Sequence, residues 1–393
     1  MHLPDESAVA SGSTTGGHGD PEADATVISA EAAAGPAAGA STAAIGAALQ
    51  GTMLGPYRLE SFVGGGGMGA VFRAHDTTLD RVAVKVLSGA QSADEDMLRR
   101  FRNEAQSAAR LDHENIGRVH AVGSDQGWHY IVFEFIEGRN LRDVVRDEGP
   151  FAVGRAIDVT LQVADALEHA AERDVVHRDI KPSNIVITPA GRARIVDMGL
   201  ARLAPTAGDA DLTVSGMTLG TFDYISPEQA RDPRAADVRS DLYSLGCTLF
   251  FMLAGRAPFS EGTMVQKLLQ HQQDAPPDIT AIRSDVPERL AGILGRLMAK
   301  DPDERYQRPA VLAADLLACA EESGIELMAP VRAVVTVAPV TERRRMASAL
   351  PWLVPIVGLV LTVAALWLKA AADRAATAPP RAMHVDDPGD GDG

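Results

Sequence analysis

The sequence predicts an α+β fold: a β-rich front of about 80 residues, a mainly helical back, and one apolar helix near the C-terminus. Three patterns carry that prediction. From Tyr57 to Ile136, short apolar bursts alternate with polar and Gly-rich turns, the period of half-buried strands. Beyond Gly138, apolar residues recur at the steps of amphipathic helices. Ala347 to Leu368 is then a run of 22 residues without one charge.

The elements follow in chain order. Residues 1–52 are compositionally separate: 36 of these 52 are Ala, Gly, Ser, Thr or Pro, with no Phe, Tyr, Trp, Lys or Arg. Such a segment buries too little apolar surface to offset chain entropy, so it reads as a disordered acidic arm. It lacks the basic start and long apolar run of a signal peptide. Glycines at 35, 39 and 46 weaken any helix in the Ala-rich stretch 30–50. The folded domain is expected over 53–321. Its first strands are Tyr57-Arg-Leu-Glu, Ala70-Val-Phe-Arg-Ala and Arg81-Val-Ala-Val-Lys-Val-Leu. A helix over 94–111 places Met97, Leu98, Phe101, Ala105, Ala108 and Leu111 near one face. Strands return over 117–135, and helices follow over 140–147, 152–173, 237–255, 263–273, 287–299 and 309–321. The sequence contains no internal repeat.

Residues 322–346 read as a juxtamembrane linker ending in Arg343-Arg344-Arg345. The charge-free run 347–368 would span about 33 Å as a helix, against a hydrocarbon core of about 30 Å. Trp352 and Trp367 lie near its two ends, where interfacial Trp is favoured, and Pro351 and Pro355 are expected to kink its first half. The arginine cluster puts the N-terminal side in the cytoplasm. Lys369, Arg374 and Arg381 beyond the run are a scattered counter-signal. The tail 369–393 is Gly- and Asp-rich and too short to fold.

Charge and cysteines exclude several classes. With 37 Lys and Arg against 53 Asp and Glu among 393 residues, the formal net charge is −16, the opposite of a general nucleic-acid binder. Cys247 and Cys319 are too few for a disulfide framework or a Cys-rich zinc site, so any metal must come with oxygen ligands. Cys247, in the apolar run Leu245 to Leu253, reads as a buried thiol.

The residues that carry chemistry begin with Gly64-Gly65-Gly66-Gly67-Met68-Gly69, which contains G-x-G-x-x-G at Gly64, Gly66 and Gly69. Glycines let a backbone approach phosphates closely, although a Gly-rich surface turn carries the same pattern. A dinucleotide site needs a helix after the glycines, whereas the residues that follow alternate like a hairpin. Lys85, in Val82-Ala83-Val84-Lys85, is an ammonium in an apolar strand and calls for a partner. Glu104, near the apolar side of the 94–111 helix, would pair with it. The strongest signal is His177-Arg178-Asp179-Ile180-Lys181-Pro182-Ser183-Asn184, a match to H-R-D-x-K-x-x-N. A carboxylate to orient a hydroxyl, a lysine to neutralise phosphate and an amide oxygen for a metal suit phosphoryl transfer. Asp197, beside Gly199 and after the strand-like Arg194-Ile195-Val196, adds a hard oxygen ligand of the kind Mg²⁺ prefers.

With these motifs in order, the stretch from Tyr57 to Ala320 resembles the eukaryotic-like (Hanks-type) Ser/Thr protein kinases, in flavour the bacterial membrane-anchored ones. The resemblance implies a two-lobed kinase fold, with a β-rich N-lobe and a mainly helical C-lobe. It implies that Gly64, Gly66 and Gly69 lid the phosphates of ATP, and that Lys85 holds the α/β-phosphates and pairs with Glu104. Asp179 would be the catalytic base and Lys181 would sit on the γ-phosphate. Asn184 and Asp197 would bind Mg²⁺, with Mn²⁺ as a substitute. Val71, Ala83 and Val186 would sandwich adenine, Glu134 to Ile136 would form the hinge, and Phe133 would stand beside it as gatekeeper. Glu228 of Ser226-Pro-Glu would pair with Arg305, and Asp241 would brace the catalytic loop backbone. Lys181 and Thr221 match the Ser/Thr rather than the tyrosine branch.

The same resemblance implies that Arg178 meets a phosphate on an activation loop spanning 200–226. Among Thr206, Thr213, Ser215 and Thr218, the best matches to a phosphorylated position are Thr213 and Ser215, with Thr218 also a candidate. Four positions depart from the pattern: Met198 stands where the family has Phe, Ser226 opens the A-P-E element, Gly117 stands where an apolar residue is common, and Gly67 lengthens the glycine run, which is expected to make the lid more mobile. The function expected is a membrane-anchored kinase acting on Ser/Thr hydroxyls of proteins. It would autophosphorylate in trans, as a homodimer in one version, and sit single-pass in a bacterial inner membrane with its catalytic domain in the cytoplasm. A pseudokinase scaffold, a small-molecule kinase and a Rossmann oxidoreductase are the alternatives.

Overall fold

In the computed structural model, which describes residues 42–66, 69–76, 78, 80–87, 95–197 and 222–328, the alternating front folds as one antiparallel sheet. The arm up to residue 41, Gly67, Met198, Thr206, Thr213, Ser215, Thr218, Thr221 and everything from 329 onward lie outside the described residues. So do the apolar run 347–368, the tail 369–393 and the side chain of Glu104. Among the described residues no helix is long and apolar enough to cross a membrane.

A helix, α1 (Thr42–Leu49), precedes the strands β1 (Met53–Leu54), β2 (Tyr57–Gly66), β3 (Gly69–Asp76) and β4 (Asp80–Val86). Then come α2 (Glu95–Ala108), β5 (Val119–Asp125) and β6 (Trp128–Glu134), and the sheet order is β1-β2-β3-β4-β6-β5. The pleat sorts the side chains into two faces. On one face Phe72, Val82, Val84 and Val86 pack with Leu59, Tyr57, Trp128 and Tyr130. On the other, Phe101 and Ala105 of α2 pack on Leu87 and Ile131, with Leu98, Val119 and Phe133 at the margin.

Residues 42–52 correct the expectation of a disordered arm ending at 52. Ile45 and Leu49 of α1 are buried in the same apolar cluster as Phe72 and Val84. The Gly51 amide donates to the Leu59 carbonyl at 2.7 Å, and Thr52 Oγ1 donates to the Leu49 carbonyl at 2.7 Å. The physical reason is the outer face of the sheet. Its row of Phe and Val needs a cover, and covering it supplies the burial that an isolated Ala-rich helix lacks.

The helical back begins with a short sheet and two helices: β7 (Arg139–Asn140), α3 (Leu141–Glu148) and α4 (Val153–Ala171). The strands β8 (Ile185–Ile187) and β9 (Ala193–Ile195) complete a three-stranded sheet with β7. Next come α5 (Pro227–Arg231), α6 (Val238–Ala254), α7 (Met264–Gln273), α8 (Ile279–Ile282), α9 (Glu288–Leu297) and α10 (Pro309–Glu322). The five longest helices of this helical back, α4, α6, α7, α9 and α10, fall within two residues of the predicted bounds. α6 is buried on nearly every side, from Ser240 to Leu253, and forms the centre of the larger core with α4, α9 and α10. Asp237 caps its start, and Gly255, at φ 74°, ends it in the left-handed conformation. Cys247 lies in this helix, where burial pushes its thiol up to about 12.

A second correction falls at the far edge. Residues 322–328, read as linker, return to α4: Ile325 and Leu327 pack on the core, and the Met328 amide donates to Asp158 Oδ2 at 2.6 Å. Two apolar residues in a short stretch show no period, so their docking was invisible in the sequence.

Candidate active site

The segment 177–184 follows α4 and reaches β8 through a short 3-10 turn, Pro182–Asn184. Its backbone is clamped from below by α6. Asp241 Oδ2 accepts the His177 amide at 2.8 Å and Oδ1 accepts the Arg178 amide at 2.7 Å. The clamp has work to do, because Arg178 has φ 68°, a left-handed conformation that disfavours a side chain by about 1–2 kcal/mol. Gln229 of α5 adds a second brace, its Nε2 donating to the Arg178 carbonyl at 3.0 Å. Burial pushes the Asp241 carboxyl up to about 7, against the two amides and Arg178 that favour its charged form. His177 Nδ1 accepts the Asp179 amide at 3.2 Å, and burial drives that imidazole down to about 4, so the ring is neutral at pH 7.

Two predicted residues converge on the carboxylate of a third. Asp179 Oδ2 takes Lys181 Nζ at 2.8 Å and Asn184 Nδ2 at 3.0 Å. Asn184 Nδ2 also donates to the Asp179 carbonyl at 2.9 Å. With its NH₂ turned to Asp179, Asn184 presents Oδ1 as its acceptor atom. Across the cleft, Lys85 Nζ lies 2.9 Å from Asp197 Oδ1. Asp197 has φ 55° and closes the strand-like segment after β9. Burial opposes its ionisation, but Lys85, Lys181 and His177 hold its carboxyl below the usual range. The pair explains how β4 carries a buried lysine.

Residues Val71, Ala83 and Lys85 share the inner face of the sheet, since Val71 pairs with Lys85 in register and Ala83 precedes Lys85 by two. Val186 of β8 is the counterpart from the helical part. A Cβ on Gly138 would come within 2.8 Å of it, so that glycine lets the chain pass close beyond the hinge. Gly64 and Gly66 end β2, and Gly69 opens β3, where a Cβ would meet the Val86 carbonyl at 2.0 Å. Glu104 lies in α2, beside the same sheet. Ile136 reaches the space above Gly117, where a Cβ would meet its Cδ1 at 3.2 Å, so the apolar side chain missing at 117 is replaced from the hinge.

Two contacts were not foreseen. Glu134 accepts from Arg194 of β9 at 2.5 Å, and the same guanidinium donates to the Ile116 carbonyl at 3.1 Å, tying the hinge to the helical part. Gln229 is the other; its capping box with Ser226 was readable, its reach to Arg178 was not. The predicted partners Glu228 and Arg305 do meet. Both oxygens of Glu228 are taken by the guanidinium at 2.8 Å, Ser240 Oγ donates at 2.6 Å, and Arg305 Nε donates to the Ala299 carbonyl at 2.7 Å.

The donors suit a magnesium ion. Asp197 supplies a carboxylate kept ionised, and Asn184 supplies an amide oxygen whose NH₂ is held by Asp179 and to which Ser183 Oγ donates at 3.4 Å. Among the described residues no cluster of three or more His, Cys, Asp or Glu forms a cage for a metal. Mg²⁺ is usually held this way, by one or two protein oxygens with waters and substrate phosphates.

Comparison with known proteins agrees with this geometry. The protein kinase domain family matches residues 57–317. The serine/threonine-protein kinase PrkC of Bacillus subtilis is 38% identical over 263 residues, covering 67% of this chain and 40% of that protein. PknB of Mycolicibacterium smegmatis is 39% identical over 266 residues, covering 66% of this chain and 42% of that protein. The chain therefore spans less than half the length of either relative. The crystal structure of the Mycobacterium tuberculosis PknI kinase domain superposes with a TM-score of 0.55 at 28% identity, covering 68% of this chain and 98% of that one. The chain belongs to the protein kinase domain family, and its kinase domain is of the Hanks-type serine/threonine kind.

Proposed function

We propose that the chain transfers the γ-phosphate of ATP to serine and threonine hydroxyls of proteins. The observation that carries this reading is the convergence of Lys181 and Asn184 on the Asp179 carboxylate, with Lys85 on Asp197 opposite. Asp179 takes the proton of the attacking hydroxyl as its oxygen bonds the γ-phosphorus and the bond to ADP breaks. Lys181 neutralises charge on the transferred group, and Lys85 holds the α/β-phosphates. Gly64, Gly66 and Gly69 bring backbone amides over the phosphates. Val71, Ala83 and Val186 sandwich adenine, and the Glu134 to Ile136 backbone reads its edge. Mg²⁺, or Mn²⁺ in its place, would sit on Asn184 Oδ1 and Asp197 and offset phosphate charge. The pseudokinase alternative finds no support, because none of these groups is missing.

Regulation is proposed through the activation loop. Arg178 Nε and Nη1 are buried without a hydrogen-bond partner among the described residues. A phosphate on Thr213, Ser215 or Thr218 would satisfy that guanidinium, order the loop, and present Thr221 to the catalytic segment. Phosphorylation in trans between two copies supplies it. The run 347–368 anchors the chain in the inner membrane as a single span, with 53–321 on the cytoplasmic side. The support is its length and the arginines at 343–345.

The test is intact-mass measurement of the full-length chain with Mg-ATP, for the wild type and Asp179→Asn. Gains of about 80 Da in the wild type alone establish transfer by this site. No gain in either protein overturns the reading.

A further inference from the structure

The nucleotide-facing hairpin β2–β3 has a second neighbour on its outer side. Gly65 pairs with Ala70, on the outer face of the sheet, while Gly64 pairs with Val71, on the inner face. A Cβ on Gly64 would meet nothing within 4 Å. A Cβ on Gly65 would lie 2.0 Å from Thr42 Cγ2 and 3.1 Å from Thr42 Cβ. The start of α1 thus fills the notch left by the missing side chain. One turn along, Gly46 lies against Phe62, whose ring a Cβ at 46 would meet at 2.8 Å. Phe62 stands at the irregularity in the β2–β3 register just before the glycines, and Ile45, 1% exposed, is buried beside it.

We infer that α1 is a positioning element for the β2–β3 hairpin, seated on Gly65, so that residues ahead of the catalytic domain set the affinity for ATP. The inference rests on the reading that this hairpin lies over the nucleotide. Gly65 then has a role distinct from its neighbours: it receives Thr42 rather than phosphate. A run of glycines has much conformational freedom to lose when a ligand orders it. Packing α1 on the β2 arm removes part of that freedom beforehand, which lowers the entropic penalty of binding. Thr42 and Ile45 touch no substrate and act only through the hairpin.

The experiment measures Mg-ADP affinity by calorimetry and amide hydrogen exchange by mass spectrometry on the full-length chain. The variants are Ile45→Ala, Thr42→Gly and the conservative Ile45→Leu. Ile45→Ala and Thr42→Gly should each weaken Mg-ADP by about fivefold and speed exchange within 61–72. The transfer rate at saturating Mg-ATP should stay within about twofold, and Ile45→Leu should restore wild-type affinity. Unchanged affinity in both Ile45→Ala and Thr42→Gly, with faster exchange confined to 42–52, overturns the inference and leaves α1 a cover for the sheet. Ala83→Leu separates the premise: if it leaves Mg-ADP affinity unchanged, the nucleotide does not lie against this sheet, and the site reading fails first.

Discussion

The two halves of the site are held by opposite means. On the helical side the loop backbone is clamped by buried charge: Asp241 grips two amides, and Glu228 and Arg305 lock α5 to the segment before α10. On the sheet side an apolar pleat and small residues form the wall, with Lys85 its buried ammonium. The difference follows from what each half must hold. Arg178 is kept in a left-handed conformation, so its backbone needs a directional clamp. The hairpin, proposed above to lie over the nucleotide, uses glycine and packing, which are not directional.

The comparison breaks most visibly at the residue that bridges the halves. Asp197→Asn should lower the transfer rate by about 10²–10³, and raise the Mg²⁺ concentration needed for half-maximal rate. A rate within threefold of wild type would detach Asp197 from the chemistry. Next comes the clamp. Arg305→Ala leaves Glu228 without its bidentate partner in a buried site and should destabilise the fold by about 3–5 kcal/mol in urea unfolding. A loss under about 1 kcal/mol would place the helical side on the same non-directional footing as the sheet.

A smaller effect concerns pH. His271 is buried against Phe259, hydrogen-bonds Tyr243 at 2.9 Å, and burial drives its imidazole down to about 3. His177 is likewise held at about 4. For such groups the unfolded chain takes up protons first, so their contribution is present above about pH 6.5 and is lost as pH falls towards the folded value. Each accounts for about 2 kcal/mol of lost stability at pH 5. Asp241, pushed up to about 7, works in the opposite sense over the same window, adding stability as pH falls. His271→Gln keeps an acceptor for Tyr243, and the stability lost between pH 7 and pH 5 should shrink by about 2 kcal/mol. An unchanged pH slope would show that this histidine is protonated in the fold. The smallest effect belongs to the sheet surface: Glu60→Ala breaks the exposed ion pair with Arg73 and should cost less than about 1 kcal/mol, fading in salt.

Legibility followed the range of the interactions. The bounds of α4 and α6 were readable because period and caps are local: Asp237 and Gly255 bracket α6 in the sequence itself. Asp179, Lys181 and Asn184 were readable because one short loop carries all three. Lys85 reads in the sequence as an ammonium that needs a partner, with Glu104 the candidate; the Glu104 side chain lies outside the described residues, and tertiary structure adds Asp197, 112 positions away. The grip of Arg194 on Glu134 gave no signal, since an arginine beside a strand is ordinary on a surface. The last eleven residues of the arm share the Ala- and Gly-rich composition of the 41 before them, which hides their place in the fold from a reading of the sequence.

What the sequence determined by itself was the order of elements, the chemistry of the catalytic segment and the family, all set by neighbours within a few residues. Tertiary structure alone decided that α1 belongs to the fold, that Gly65 receives Thr42, and that Gln229 and Asp241 share the support of Arg178. Each of those depends on a surface contributed by chain far away. α1 gains its burial only once β3 and β4 have aligned their apolar row, and the clamp on Arg178 exists only once α6 has been buried beneath it.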